Sequence, residues 1–171
     1  GSVEEIKAMG IDLLRDHADD LPDEFIWWVE DSYKRGYVDF HDDEVIRTEV
    51  FDQIQGAFQD YDLIVSPTTA CHPVKNDPNR NTLGPAKICG VKSDPLCGFG
   101  LTFFCNFTGN PAASIPAGLS KEGFPVGLQL IGNRYGEIDL LAASAAYERV
   151  NPWRDIYEAT ERRSLDIPAS A

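Results

Sequence analysis

Basic residues are scarce in this 171-residue chain: 15 lysines and arginines stand against 28 aspartates and glutamates, a formal net charge of -13 with a sequence pI near 4.5. A phosphate backbone or an anionic membrane surface would be repelled by such a field, so no nucleic-acid or membrane partner is expected. Long hydrophobic runs are missing too. No stretch approaches the roughly 20 apolar residues that span a bilayer, and no basic segment with an apolar core opens the chain. The expected location is therefore soluble and cytoplasmic. Cysteine is sparse: Cys71, Cys89, Cys97 and Cys105 form no CxxC pair. Their spacing suits free thiols better than a disulfide framework, and Cys71 with His72 fits no common zinc pattern, so no metal is expected.

Motifs that announce catalysis are also lacking. There is no GxSxG, no GxGxxG and no phosphate-binding loop. Ser66, Ser114 and Ser120 sit beside proline or in apolar or turn settings. His17 and His41 lie in acidic helical stretches, where a solvated face outweighs catalysis. Adjacent Cys71 and His72 point apart on an extended chain and have no orienting carboxylate nearby in sequence. The clusters DHADD and FHDDE read as charged helix faces and caps.

What is present is a core-forming composition: 43% hydrophobic and 25% charged, enough for a folded domain. Gly1-Ser2 reads as a processing remnant. Residues 1–60 form a helical segment. Its first helix is predicted to run continuously through EEIKAMGIDLLRDHADD, with Ile6, Met9, Leu13 and Leu14 on one face. Leu21-Pro22-Asp23 interrupts it. A second helix brings Phe25, Trp28, Val29 and Ser32 together and stops at Gly36. A third, over 42–59, carries Ile46, Val50, Ile54 and Phe58 as a stripe.

Residues 61–152 change character. The apolar run at 61–67, closed by Pro67, has the pattern of a strand buried on both faces of a mixed or parallel sheet. The segment from Pro67 to Gly98 reads as a loop, with five prolines and a polar NDPNRN stretch. Strands are predicted at 112–115 and 126–131, joined by an LSKEGFP turn. An alanine-rich helix at 137–150 should turn Ile138, Leu141, Ala142 and Ala145 to the core. Residues 153–171 are a polar tail. Three short strands are few for a buried sheet, so further strands are expected from another chain or an absent segment. The alternative is a small α+β domain whose other strands leave no clear pattern.

Four blocks now carry a resemblance. YDLIVSPTT (61–69), LTFFCNFTGNPAASIPAG (101–118), GFPVGLQLIG (123–132) and an E-x-x-L-L helix followed by ERVNPW (148–153) resemble, in order and spacing, the C-terminal third of the amidase signature family. The spacings T-x-x-x-N-x-T-G-x-P-A and G-x-P-x-G-x-Q are the specific part. The resemblance implies the C-terminal part of an α/β fold, a mixed sheet covered by helices on both faces. It implies amide hydrolysis, or amide nitrogen transfer, by a serine activated through a cis-peptide serine and a lysine, without metal or organic cofactor. No Gly/Ser-rich stretch able to carry that triad occurs here, so no catalytic residue is expected in this chain. Its expected partners are an N-terminal amidase chain or segment bearing the triad and a small-molecule amide; a homodimer of the assembled enzyme is an open arrangement.

In glutamine-using amidotransferase subunits of this family, an aspartate that binds the substrate's amino group stands seven residues before the motif asparagine. That asparagine corresponds to Asn106, and the aspartate position holds Phe99. An ammonium buried without a counter-charge is costly, so the replacement favours an apolar or aromatic acyl amide over transamidation. Phe99, Thr102, Phe103, Thr69 and Cys71 are the pocket-wall candidates, with Phe99, Phe103, Phe104 and Phe107 forming an aromatic cluster. Structural roles are assigned to Asn106 and Thr108, which can tie a turn through side-chain hydrogen bonds. Gly109 permits unusual φ values, Pro111 sets the entry to a strand, and Gly127, Gln129 and Gly132 belong to the strand that follows. A non-catalytic binding or assembly module on the same scaffold is the reading from outside enzymology.

Overall fold

A computed structural model of the chain describes residues 2–78 and 82–155. They group into two compact units, one of Gly1–Val50 with Pro73–Phe99 and one of Phe51–His72 with Gly100–Ala171. The predicted polar tail lies almost wholly outside the described residues.

The first unit is helical with a small hairpin. The opening helix is not continuous: α1 spans Ser2–Ala8, and α2 only Leu13–Asp16 before a short 3-10 turn at Ala18–Asp20. Gly10, at φ +90°, takes a left-handed conformation that ends α1, and Asp12 restarts the chain by accepting the Arg15 N–H at 3.2 Å. Met9 is left exposed, so the predicted common face does not form. Arg15 grips Asp16 through two hydrogen bonds of 2.6 and 2.7 Å, which lowers that carboxyl to a pKa of about 2.

Helix α3 (Asp23–Lys34) buries Val29, while Trp28 stays exposed beside Phe25. Tyr33 donates to Glu4 at 2.7 Å and ties α3 to α1. Helix α4 (Tyr37–Ala57) begins five residues earlier than the apolar stripe suggests, because Asp39 accepts the Gly36 N–H at 2.7 Å in the first turn. Its stripe is only partly covered: Ile46 is exposed, Val50 and Ile54 are half-buried, and no residue of the helix is fully buried. The proline-rich connection also contains structure. β2 (Lys87–Ile88) pairs antiparallel with β3 (Val91–Lys92). Cys89 and Gly90 form the turn at φ +49° and +81°, the two positive values that a tight right-twisted hairpin requires.

The second unit is built on three strands in the order β1-β5-β4: β1 (Leu63–Pro67), β5 (Pro125–Gly132) and β4 (Ala112–Leu119). Every pairing is antiparallel, with Leu63 opposite Gly132 and Ala112 opposite Ile131. The β4–β5 ladder shifts register between Pro116 and Gly118, which carries both strands beyond their predicted ends. Only β5 has neighbours on both sides among the described residues. It accordingly holds Leu130 and Ile131, the latter fully buried. Among the described residues β1 is paired on one side only, in place of the doubly flanked position expected of it, and Val65 is 56% exposed.

Helix α6 (Glu137–Val150) packs on β4 and β5. Leu140 is its buried residue, with Ala143, Ser144 and Tyr147 half-buried on the same side. The predicted face is turned the other way: Ile138 is 83% and Leu141 65% exposed. Both sides of this helix are apolar at helical spacing, so periodicity alone could not choose between them. Leu140 wins because Gly132 leaves it room against the end of β5.

Candidate functional site

The first part of the T-x-x-x-N-x-T-G-x-P-A motif forms a short helix, α5 (Phe103–Thr108), rather than a plain turn. Gly109 caps it at φ +70°, with its N–H donating to the Cys105 carbonyl at 3.0 Å. The corner that follows is tied by Asn110, 6% exposed, which the motif spacing does not single out. Asn110 Nδ2 donates to the Gly132 carbonyl at 2.9 Å, and its Oδ1 accepts from Gln55 of α4 at 3.3 Å. The Gly132 N–H donates to the Pro111 carbonyl at 2.9 Å, joining the start of β4 to the end of β5. The tie assigned to Thr108 is absent among the described residues: its Oγ1 is buried without a hydrogen-bond partner. Asn106 is exposed on α5 and faces a cavity.

That cavity, about 310 Å³, lies between α5 and the sheet. Thr102, Cys105 and Asn106 line it from α5, Ala112 and Ser114 from β4, and Gln129 from β5, with Asn110 at the corner. Among the described residues no carboxylate, lysine, arginine or histidine lines it. Cys105 is buried, and burial pushes its thiol above the ordinary range, so the thiol stays protonated at neutral pH. The arrangement can shape and hydrogen-bond a ligand, but among the described lining residues there is no carboxylate, amine or imidazole to serve as a base and activate the Thr102 or Ser114 hydroxyl or the Cys105 thiol.

Gln129 organises the sheet face beneath. It is 2% exposed, and Nε2 donates to the Leu101 carbonyl at 2.8 Å and to Ser66 Oγ at 3.1 Å. Ser66 and Ser114 flank it in register on β1 and β4. Ser114 and Thr68 hydroxyls hydrogen-bond at 2.6 Å across the gap left by Gly127. A Cβ at Gly127 would lie 2.6 Å from Thr68 Oγ1 and 3.0 Å from Ser114 Oγ, so this crossing needs glycine.

The other predicted wall residues are spread more widely. Thr69 pairs with Gly100 and donates to the Cys71 carbonyl at 3.1 Å; Cys71 is half-buried. Phe103 is half exposed at the start of α5. Phe99 belongs to the first unit, where its ring fills the space over Gly84, and a Cβ at Gly84 would collide with Phe99 Cδ1. His72 does have a carboxylate near it, supplied by the distant Glu122 at 3.9 Å, with Phe124 at 6.0 Å ring to ring. Both side chains are about 60% exposed, and Glu122 is held below the usual carboxylate range first by its hydrogen bond from Ser120. This is a surface pair, not an oriented base. Among the described residues no cluster of three or more histidines, cysteines or carboxylates could hold a metal, and no helix is long and apolar enough to cross a membrane.

An α/β unit whose strands carry these two motifs, with a helix capped at Gly109 and a central Gln129, defines a class. The family model described as Amidase matches residues 29–141, and the chain belongs to the amidase signature family. Its fold is similar to the crystal structure of a bacterial aryl acylamidase of that family. The TM-score is 0.89 at 40% identity, covering 96% of this chain and 33% of that one. The A-type subunit of glutamyl-tRNA(Gln) amidotransferase from Thermotoga maritima aligns with a TM-score of 0.51 at 25% identity over 74% of this chain and 25% of that one. In sequence, the A-type subunit of glutamyl-tRNA(Gln) amidotransferase from Myxococcus xanthus is 37% identical over 120 residues, 67% of this chain and 22% of that protein. The chain thus spans about a fifth to a third of the length of these relatives.

Proposed function

We propose that this chain is the C-terminal portion of a soluble, cytoplasmic serine amidohydrolase acting on an amide with an apolar or aromatic acyl group. The serine nucleophile, the second serine and the lysine belong to an N-terminal chain or segment. The nucleophile's oxygen attacks the amide carbonyl, the C–N bond breaks, and ammonia or an amine leaves with the proton relayed through the second serine and the lysine. Water then hydrolyses the acyl-serine ester and releases the acid. This chain contributes a wall without acid or base, in keeping with the uncharged lining of the α5 cavity.

The observation that carries the acyl preference is Phe99. It replaces the aspartate expected of glutamine-using relatives, and it presents a ring packed on Gly84 in place of a carboxylate. The 40% identity to an aryl acylamidase over nearly the whole chain supports the same reading. The second reading, an A-type subunit of a glutamine-dependent amidotransferase, is favoured by the names of the curated relatives at 34–37% identity, and is opposed by Phe99.

A Phe99→Asp variant of the assembled enzyme tests the assignment. The expected result is a loss of kcat/KM on aromatic amides about tenfold greater than on acetamide, because a desolvated carboxylate now faces the acyl group. Equal losses on both substrates would make Phe99 a packing residue. A gain of glutamine-dependent amide transfer would support the second reading.

A further inference from the structure

The peptide that leads into α5 is held from both sides. The Leu101 N–H donates to the Thr68 carbonyl at 3.3 Å, and the Leu101 carbonyl accepts from Gln129 Nε2 at 2.8 Å. Leu101 immediately precedes Thr102, the residue from which α5 starts and the first to line the cavity. The holding groups sit on the central strand of the sheet and just past the end of its neighbour. Gln129 is on the central strand and 2% exposed, its amide is shared with Ser66 of β1, and Thr68 is fixed in turn by the Gly127 carbonyl at 3.0 Å and by Ser114 at 2.6 Å. A primary amide at this position is not demanded by packing alone. An apolar side chain of the same length would fill the space and leave the part-buried Leu101 carbonyl without its donor.

We infer that Gln129 is a positioning residue for substrate binding: by clamping the Leu101–Thr102 peptide it fixes the Thr102–Asn106 wall against which the bound amide rests. The inference deepens the amidohydrolase reading and rests on it for its kinetic consequence. Gln129 touches no reacting atom in this account; it acts through the wall, so its loss is felt in the fit of the substrate before it is felt in the chemical step.

Two isosteric variants of the assembled enzyme separate positioning from general stability. Gln129→Met removes the donor at every pH. Gln129→Glu removes it only when ionised, because a protonated carboxyl can donate its O–H to the Leu101 carbonyl, and burial favours that neutral form. Among the described residues Cys105 is the one other ionisable side chain lining this cavity, and each variant is compared with wild type at the same pH, which cancels its contribution. The expected result at pH 8 is a KM for an aromatic amide raised about fivefold or more in both variants, with kcat within about twofold of wild type. At pH 6 Gln129→Glu returns to within about twofold of the wild-type KM, while Gln129→Met does not.

Hydrogen exchange on the same samples reads the clamp without turnover: amides 102–108 exchange faster in Gln129→Met, and in Gln129→Glu at pH 8, while those of α6 keep wild-type protection. Wild-type KM and wild-type exchange in both variants would overturn the inference. So would kcat, KM and exchange of α6 all changing together, the signature of a residue that only stabilises. If wild-type assembly hydrolyses no amide, the functional reading fails, and the exchange pattern still decides whether Gln129 clamps Leu101.

Discussion

Gly109 shows how much a single position can be read in advance. The motif places glycine where α5 must end, and the backbone there is left-handed at φ +70°. A Cβ would meet only Arg134 Nε at 3.5 Å, an ordinary contact, so the cost of Gly109→Ala is conformational. It is expected to destabilise by about 1–2 kcal/mol, read as a lower denaturation midpoint with an unchanged m-value. Asn110, next to it, could not be read. It is an unspecified position of the motif spacing, and its importance arises because Gln55, 55 residues earlier, and Gly132, 22 residues later, converge on its amide. Thr108, whose residue type suggests a tie, is a buried hydroxyl without a partner among the described residues. Residue type announces backbone freedom well and hydrogen-bond partners poorly, since a φ value is local and a partner is not.

At the scale of elements, strands and caps were legible and faces were not. The two motif strands lie where apolar runs and glycine-proline punctuation place them, and the ladder continues past the register shift at Pro116 to Leu119 and Pro125. The β2–β3 hairpin escaped notice because Cys89, rather than asparagine or aspartate, takes the first positive-φ turn position. Helix α6 turned the opposite face inward, as two apolar stripes of one helix are equal until a neighbour chooses. The tight crossing at Gly127 is testable. Gly127→Ala must push Thr68 and Ser114 apart, and overpacking of this kind costs about 1–3 kcal/mol. The expected signature is faster hydrogen exchange at the Thr68 N–H, which donates to the Gly127 carbonyl, with protection in α3 unchanged.

For the whole molecule, the described residues bury few apolar side chains completely: Val29, Cys105, Leu130, Ile131 and Leu140. β1 and β4 each keep an unpaired edge among those residues, and edges of that kind seek partners. Under the proposed function, native material should contain the N-terminal chain or segment in stoichiometric amount by intact mass. A fluorophosphonate probe should label that part and leave this chain unmodified. A well-folded, monomeric chain on its own, or a label on one of its residues, would defeat the split-site reading. The sequence by itself determined the family, the charge that disfavours polyanions, the absence of a known catalytic motif, and the glycine and proline positions that punctuate the strands. All of these depend on residue identity and short spacing. Only the tertiary structure decided which face of α6 is buried, that the strands pair antiparallel around β5, and that Gln129 and Thr68 meet at Leu101. Those outcomes depend on contacts between residues far apart in the chain, which compete on packing and hydrogen bonding and leave no local pattern.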